Sequence, residues 1–217
     1  MKKLDAGLRI VLFGLLTAAA AAAFPQPQNR QQALQGLASA DTATRAEAVV
    51  WIANHGSMDD AGLLHERLRD ESAFVRGFAE QGLWLLWTRS GDAATDQQMA
   101  QASEYMQAGQ FAEAVTLLSE IIRKRPAYAE AWNRRATVYY LAGEFRKSIA
   151  DCDQVLKRNP KHFGALSGLG QIHMQLEQYE EALKWLRRAL EVNPNLVGVE
   201  INFKQIEERL MKKGLST

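Results

Sequence analysis

The stretch AEAWNRRATVYYLAGEFRKSIADCDQVLKRNP, residues 129–160, decides the fold. Its last residue, Pro160, lies midway between Pro126 and Pro194, so the three prolines are evenly spaced. Residues of similar character recur between these prolines, so the constant interval predicts three consecutive structural units. Units of this length are helix pairs that stack on one another, because a single pair cannot bury its apolar face alone. The predicted units cover residues 95–128, 129–162 and 163–194.

The repeated positions are explained by helix packing. A small residue on each helix lets two antiparallel helices approach closely, and an aromatic residue or histidine fills the space beside them. A glycine or a similar stop ends the first helix, and a proline beyond the second helix prevents its continuation. The small positions are Ala102, Ala136 and Gly170, then Ala114, Ser148 and Ala182; the first helices stop at Gly109, Gly143 and Glu177.

This pattern resembles the tetratricopeptide repeat, in which Trp-x2-Leu-Gly-x2-Tyr is followed by Ala-x3-Phe and Pro. The resemblance covers about 100 residues in three copies that share one register. It implies an all-α helical-repeat solenoid. The second copy matches best, at Trp132, Ala136, Tyr139, Ser148, Cys152 and Pro160.

A weaker repeat precedes this region, over residues 33–92. Leu37, Arg45, Ala48 and Ile52 recur at one constant offset as Leu68, Arg76, Ala79 and Leu83, which predicts two helix pairs. The second pair resembles a HEAT-type repeat, and the resemblance implies that Asp70 and Arg76 tie its inter-helix turn to neighbouring units. Two such units are too few for a stable stack, so we expect them to pack against the following repeats.

Four aromatic residues lie at helical spacings in the second pair. Burial base rates favour a core role for Phe74, Phe78 and Trp84 over a ligand groove. We expect Trp87, near the helix end, to be exposed or to contact the next domain.

The two ends of the chain lie outside the predicted repeats. Residues 1–23 combine Lys2, Lys3 and Arg9 with an apolar run and small residues at Ala21–Ala23, which predicts a secretory signal peptide cleaved near Ala23. The alternative is a retained anchor, but the apolar run is shorter than the roughly 20 residues a spanning helix needs. Residues 24–32 predict a flexible lead-in, and residues 195–217 a C-terminal capping helix with a tail.

Composition and motifs argue against catalysis and against polyanion binding. The 26 basic and 25 acidic residues nearly cancel, which does not favour nucleic acid as a partner. No metal-binding His pair or Gly-rich phosphate loop appears, and Asp151 and Asp153 do not face each other on a helix. We therefore expect no catalytic residues, no metal site, no cofactor and no stable membrane span after signal cleavage. Cys152 takes a leucine position, which indicates burial.

In the family that the sequence resembles, the first helix of each repeat lines a concave ligand groove. Cochaperones of this family clamp a terminal carboxylate there with Lys, Asn and Arg; the matching positions here hold Met99, Ser103, Arg134, Gly164 and Gly168, so that clamp is absent. The alternative is a solvated face that contacts nothing. The predicted peptide-binding groove comprises Met99, Ser103, Met106, Asn133, Arg134, Thr137, Tyr140, Ser167, Gln171 and Met174.

Two functions are consistent with these features. The leading hypothesis is a non-catalytic, exported protein that binds a protein or peptide partner in the bacterial envelope, in the periplasm. The alternative is a structural or assembly subunit that uses its HEAT-like face and C-terminal helix to form a homo-oligomer or to join a larger envelope complex.

Overall fold

The computed structural model describes residues 26–214, so the predicted signal segment, residues 1–23, lies outside the described residues. Within the described range the chain forms eleven α-helices and one 3₁₀ turn, which confirms the all-α solenoid. The helices are α1 (Arg30–Leu37), α2 (Thr42–His55), α3 (Ala61–Arg67), α4 (Ala73–Thr88), α5 (Ala93–Gln107), α6 (Phe111–Lys124), α7 (Ala129–Leu141), α8 (Phe145–Arg158), α9 (Phe163–Gln175), α10 (Tyr179–Val192) and α11 (Val197–Gly214).

Helices α5 to α10 form the three predicted helix pairs, which we call the repeat region. The small positions are buried as expected: Ala114 and Ala182 are fully inaccessible. At the same position of the second pair, the Ser148 hydroxyl donates a 2.7 Å hydrogen bond to the Ala136 carbonyl oxygen. A polar side chain is tolerated there because a carbonyl oxygen of the neighbouring helix accepts its hydrogen bond.

The turn inside each pair requires a left-handed backbone. Gly109 and Gly143 have φ of 72° and 75°, and Glu177 has φ of 57° at the equivalent position. Glycine adopts this conformation without a steric penalty, whereas a residue with a Cβ is strained there. The third pair therefore keeps the turn of the other two despite its sequence.

Helix α11 covers the open side of the last pair. Val199 and Ile206 are buried in a cluster that also contains Leu186 and Ala189 of α10. A terminal unit of a helical stack has one face without a neighbour. The predicted capping helix fills that role here.

Helices α1 to α4 form the N-terminal unit, which consists of two helix pairs. Helix α1 begins at Arg30, inside the segment predicted as a lead-in, because the Asn29 side chain accepts a hydrogen bond from the Gln32 amide and caps it. Arg45 of the first pair donates two hydrogen bonds, of 2.9 and 3.0 Å, to the Asp70 carboxylate of the second. This buried contact joins the two pairs.

Helix α4 lies across the turns that connect successive pairs of the repeat region. Tyr128 donates to the Thr88 carbonyl at 2.5 Å, and His162, at the equivalent position of the next turn, stacks on Trp87 with ring centroids 4.2 Å apart. Leu196, at the same position after the third pair, packs against the core of the N-terminal unit. Helix α4 thus contacts this repeat position twice, and the core of the N-terminal unit meets it a third time.

Asn195 completes this contact at the end of the repeat region. Its amide donates to the Leu68 carbonyl and its side-chain oxygen accepts from Arg76, both at 2.8 Å. The Arg69 guanidinium donates to the Glu191 carbonyl. Since Phe163 belongs to the hydrophobic core of α1 to α4, this core extends into the repeat region.

The burial of the aromatic residues of α4 differs from our expectation. Phe74 is 63% exposed, so its predicted core role is wrong, and Phe78 and Trp84 are only partly buried. Trp87 contacts the repeat region, as expected, but it is 4% exposed. Helical spacing alone does not distinguish the face of α4 that meets the repeats from the face that meets solvent.

Candidate functional site

A cleft of about 350 Å³ lies on the inner side of the repeat region. Helices α7 and α9 form its floor, while α4 and the first turns of α11 form its walls. Five of the ten predicted groove residues line it together: Asn133, Thr137, Tyr140, Ser167 and Gln171.

The other five predicted residues lie outside the cleft. Met99 is a correction: it is 7% exposed and packs in the core between α5 and α6, so it has almost no surface to offer a ligand. Ser103 and Arg134 hydrogen-bond to each other at 3.0 Å. Met106 and Met174 are partly buried against the cores of the first and third pairs.

Two side chains of the floor retain free hydrogen-bonding groups. The Tyr140 hydroxyl and the Gln171 amide have no hydrogen-bond partner among the residues that the structure describes. The Thr137 and Ser167 hydroxyls donate to carbonyls one turn back in their own helices, at 3.0 and 2.7 Å, and keep their acceptor capacity. The floor therefore offers donors and acceptors along two parallel helices.

A buried carboxylate fixes one end of this floor. Glu130 is 1% exposed and accepts hydrogen bonds from Asn133 at 3.0 Å and from Arg134 at 2.7 Å. The His162 Nδ1 atom accepts from the Ala165 amide, which assigns the ring proton to Nε2, 3.3 Å from Glu130. The Arg134 guanidinium is thus already hydrogen-bonded to side chains of the protein itself.

The walls of the cleft come from residues outside the predicted groove. Glu80 and Trp84 of α4 line one side, and Leu196 and Val199 line another. Trp84 had the helical spacing of a core residue, and nothing local shows that its helix docks on a segment far along the chain. Glu80 accepts a 2.9 Å hydrogen bond from Asn193, which holds the carboxylate at the edge of the cleft.

Gly164 lies so close to Trp84 that a larger side chain does not fit at its position. A Cβ atom at residue 164 would lie 2.4 Å from the Trp84 ring. The indole therefore occupies the space into which a longer side chain would project. Gly168, one turn later, has Cys152 Sγ as its nearest neighbour at 3.9 Å, which is an ordinary contact.

We expect Gly164→Ala to destabilise the protein and Gly168→Ala to stabilise it. Overpacking against Trp84 costs about 1 to 3 kcal/mol, whereas alanine in an unstrained helix interior contributes about 1 kcal/mol relative to glycine. Urea denaturation followed by circular dichroism measures both variants. Equal shifts of the two midpoints in the same direction would contradict the close approach of Trp84.

Cys152 also lines the cleft but does not offer a nucleophile. It is 3% exposed, and burial raises the pKa of its thiol to about 12, with the charges of Asp151 and Asp153 acting in the same direction. The thiolate is the reactive form of cysteine. The Asp151 carboxylate is itself bound by Arg135 through two hydrogen bonds, of 2.7 and 2.8 Å.

His65 makes the packing of α3 against α4 sensitive to acid, since its ring lies 6.1 Å from that of Trp87. Burial lowers the pKa of this histidine from 6.5 to about 4, and the charges of Lys161, Arg69 and His162 act in the same direction. The unfolded chain takes up the proton at higher pH than the folded protein does. Stability from the neutral ring is therefore complete above pH 6.5 and is lost as the pH falls toward 4.

We expect the free energy of unfolding to fall by about 3 kcal/mol through His65 between pH 7 and pH 4, at 1.36 kcal/mol per pKa unit. Urea titrations across this range measure the loss. In His65→Leu, which cannot take up a proton, the fall between pH 7 and pH 4 should be smaller by that amount, so the plot of stability against pH should be shallower. Identical slopes in the two proteins would show that His65 is not the titrating group.

Two further properties concern the described residues alone. Within residues 26–214 no helix combines the length and the hydropathy needed to cross a bilayer. The same part of the chain contains no cluster of three histidine, cysteine or acidic side chains arranged to hold a metal ion.

Comparison with known families identifies the repeat region. One family described as Tetratricopeptide repeat matches residues 129–162 and 164–196, and a second with the same description matches residues 95–138. No curated protein shows significant similarity to the sequence.

Several solved structures share the fold. The first TPR of Spaghetti (RPAP3), bound to HSP90 peptide SRMEEVD, has a TM-score of 0.52 and 23% identity, over 54% of this chain and 93% of that one. The Sgt2 TPR domain from Aspergillus fumigatus has a TM-score of 0.53 and 18% identity, over 57% and 83%. The TPR2B domain of yeast Sti1, in a pHsp70 complex, has a TM-score of 0.50 and 20% identity, over 54% and 99%.

Proposed function

Because residues 95–196 consist of three tetratricopeptide repeats, we propose that the protein is a non-catalytic binding protein that holds a peptide segment of a protein partner in the cleft. The observation that carries this proposal is the open cleft itself, with the free groups of Tyr140 and Gln171 on its floor. Regularly spaced polar groups of this kind suit an extended or helical peptide.

The chemistry of the cleft favours an internal, neutral or basic segment over an acidic C-terminus. Among the described residues that line the cleft, Glu80 alone is charged. Gly164 and Gly168 supply no cation, and Arg134 is bound to Glu130. RPAP3 is bound to the peptide SRMEEVD, whose acidic residues Glu80 would repel.

We further propose that the peptide presents an apolar side chain to the wall. Trp84, Leu196 and Val199 form an apolar side of the cleft next to the polar floor. A buried aromatic anchor with a polar rim is the usual arrangement of a strong binding site. A lysine or arginine of the peptide then lies near Glu80.

Selection from a displayed random peptide library tests this proposal. We expect peptides with a basic and an apolar residue in a fixed spacing, and a loss of affinity of about tenfold or more in Tyr140→Ala with Gln171→Ala, a change of about 1.4 kcal/mol. Lys157→Ala, on the exposed outer face of α8, is the matched control. Equal affinities of both variants in fluorescence anisotropy would contradict a site in the cleft.

Export to the periplasm is a separate proposal, motivated by the signal-like residues 1–23. The N-terminal sequence of the protein isolated from its native cell tests it. A mature chain that begins near Phe24 supports export, and a chain that begins at Met1 contradicts cleavage.

We also infer that α1 to α4 are HEAT-type units. Arg45 donates to the carbonyls of Ser39 and Ala40, and Arg76, at the equivalent position of the second pair, donates to those of Asp70 and Glu71. This repeated arginine supports the relation because it serves the same turn in both pairs. An experimental structure in which Arg45 does not bind Asp70 would contradict the inference.

The alternative function is a structural subunit, and exposed apolar residues favour it. Phe74 and Leu85 on α4 are 63% and 41% exposed, and Val197 and Ile201 on α11 are 66% and 50% exposed. Exposed apolar patches often mark protein interfaces. A monomeric mass in light scattering across a hundredfold concentration range would count against self-association.

A further inference from the structure

A second cavity, of about 260 Å³, lies where the N-terminal unit meets the repeat region. We call it the junction cavity. It lies outside the cleft, between the end of α4, the turn before α7 and the end of α8. Its lining residues are Met58, Trp87, Arg89, Ala127, Tyr128, Ala129, Arg158 and Asn159.

Two buried hydrogen-bond donors of this lining have no acceptor. The Trp87 indole Nε1 and the Asn159 amide Nδ2 are both without a partner, in residues that are 4% and 9% exposed. Most buried polar groups in proteins are paired, since an unpaired one costs free energy. Both groups are N–H donors, so each of these two lining residues lacks an acceptor.

Two guanidinium groups in the lining donate hydrogen bonds only to neutral oxygens. Arg89 donates to the carbonyls of Ala53, Asn54 and Gly56. Arg158 donates to the Pro126 carbonyl and to Gln154. Within residues 26–214 neither arginine has a carboxylate partner, and Arg89 Nε and Arg158 Nη2 donate to nothing.

The N-terminus of α7 opens onto the same cavity. Its N-cap residue, Tyr128, provides no side-chain acceptor for the first-turn amides. In α9 the His162 ring caps the equivalent turn, and in α5 the Asp92 carboxylate does so. A helix N-terminus without a cap carries partial positive charge and favours an anion.

The nearest carboxylate along α7 is already hydrogen-bonded to other side chains. Glu130 follows Ala129 directly, and its oxygens accept from Asn133, Arg134 and His162. The junction cavity therefore combines two cations, two unpaired buried donors and a helix N-terminus.

We propose that the junction cavity binds a small tetrahedral oxyanion, phosphate or sulfate, either free or as a phosphate ester. The donors belong to four separate segments that line the cavity: α4, the residue after it, the first turn of α7 and the end of α8. The oxygens of a tetrahedral anion accept from several separate donors, whereas a planar carboxylate suits a single two-pronged donor. The bound anion links the N-terminal unit to the repeat region.

Thermal unfolding of the full chain at constant ionic strength and pH 7.5 tests the proposal. Sodium chloride is replaced in turn by phosphate, sulfate, glycerol 3-phosphate and acetate. We expect phosphate at ten times its Kd to raise Tm by about 3 °C or more, with sulfate acting similarly and acetate weakly. A response to glycerol 3-phosphate as large as that to phosphate identifies a site open to esters. A Tm in phosphate and sulfate equal to that in chloride would overturn the proposal.

Asn159→Asp provides the sharpest variant. It keeps the side-chain oxygen that accepts from the Lys161 amide and places a negative charge beside the cavity. We expect a higher Tm without phosphate and no further rise with it. Arg146→Gln, at an exposed position of α8, removes one unit of positive charge elsewhere and should respond like the wild type.

Arg158→Gln is a second variant for the same measurement, and it keeps the test possible if Asn159→Asp does not fold. It removes one cation of the lining, so we expect phosphate to raise its Tm by at most half as much as in the wild type. A full wild-type response in Arg158→Gln or in folded Asn159→Asp would overturn the assignment of the site.

Discussion

Replacing Trp87 with alanine is expected to lower the free energy of unfolding by about 3 to 5 kcal/mol, as for other large-to-small changes in a core. Trp87 is 4% exposed, stacks on His162 and lies against Phe163 with ring centroids 4.8 Å apart. Its loss removes an apolar contact between the N-terminal unit and the repeat region. Urea denaturation followed by circular dichroism measures the change.

The same experiment on Phe74→Ala is the control. Both residues lie on α4, but Phe74 is 63% exposed, so its truncation should change the free energy of unfolding by about 0.5 kcal/mol or less. Limited proteolysis adds a second readout, because in Trp87→Ala the N-terminal unit should be cleaved before the repeats. Similar losses in both variants would contradict a core that extends into the repeat region.

Replacing Glu130 with glutamine is the second large change, with an expected loss of about 3 kcal/mol because it breaks a buried ion pair. Glu130 accepts hydrogen bonds from three side chains, and a glutamine amide turns one of its two oxygens into a donor. Urea denaturation at pH 7 measures the loss. Glu113→Gln, at an exposed position of α6, should change stability by about 0.5 kcal/mol or less.

The pH dependence of Glu130→Gln gives a further check on its cause. Burial acts to raise the pKa of Glu130, but the hydrogen bond from His162 and the charge of Arg134 outweigh it and hold the pKa below its ordinary value of 4.5. The carboxylate thus contributes stability above pH 4.5 that is lost as the pH falls through the folded-state pKa. The difference between wild type and variant should shrink in acid; a constant difference would point to packing instead.

The repeat region was predictable because its information is local. Ala114, Ser148 and Ala182 recur at a constant interval for one packing reason, and they are buried as expected. The stops at Gly109 and Gly143 follow from backbone conformation alone, which is why a single sequence revealed them. Even Glu177, which lacks the favourable residue type, takes the same conformation, since its neighbours impose it.

The walls of the candidate site were not predictable in this way. Trp84 and Glu80 face the cleft because α4 docks on turns far along the chain, and periodicity within α4 carries no information about that docking. Because periodicity within α4 does not show which face docks, it also led to the wrong core assignment of Phe74. Met99 shares its position in the repeat with the groove residues Asn133 and Ser167, yet its side chain packs into the core between α5 and α6.

Site-specific photo-crosslinking in the native cell tests the central claim, that a protein partner binds in the cleft, most directly. A photoreactive amino acid at Gln171, on the floor of the cleft, is compared with one at Lys157, on the outer face of α8. We predict that the residue 171 probe captures one partner through a defined peptide, identified by mass spectrometry and displaced by a library-selected peptide. Capture of the same proteins at both positions, or none at residue 171, would contradict the claim.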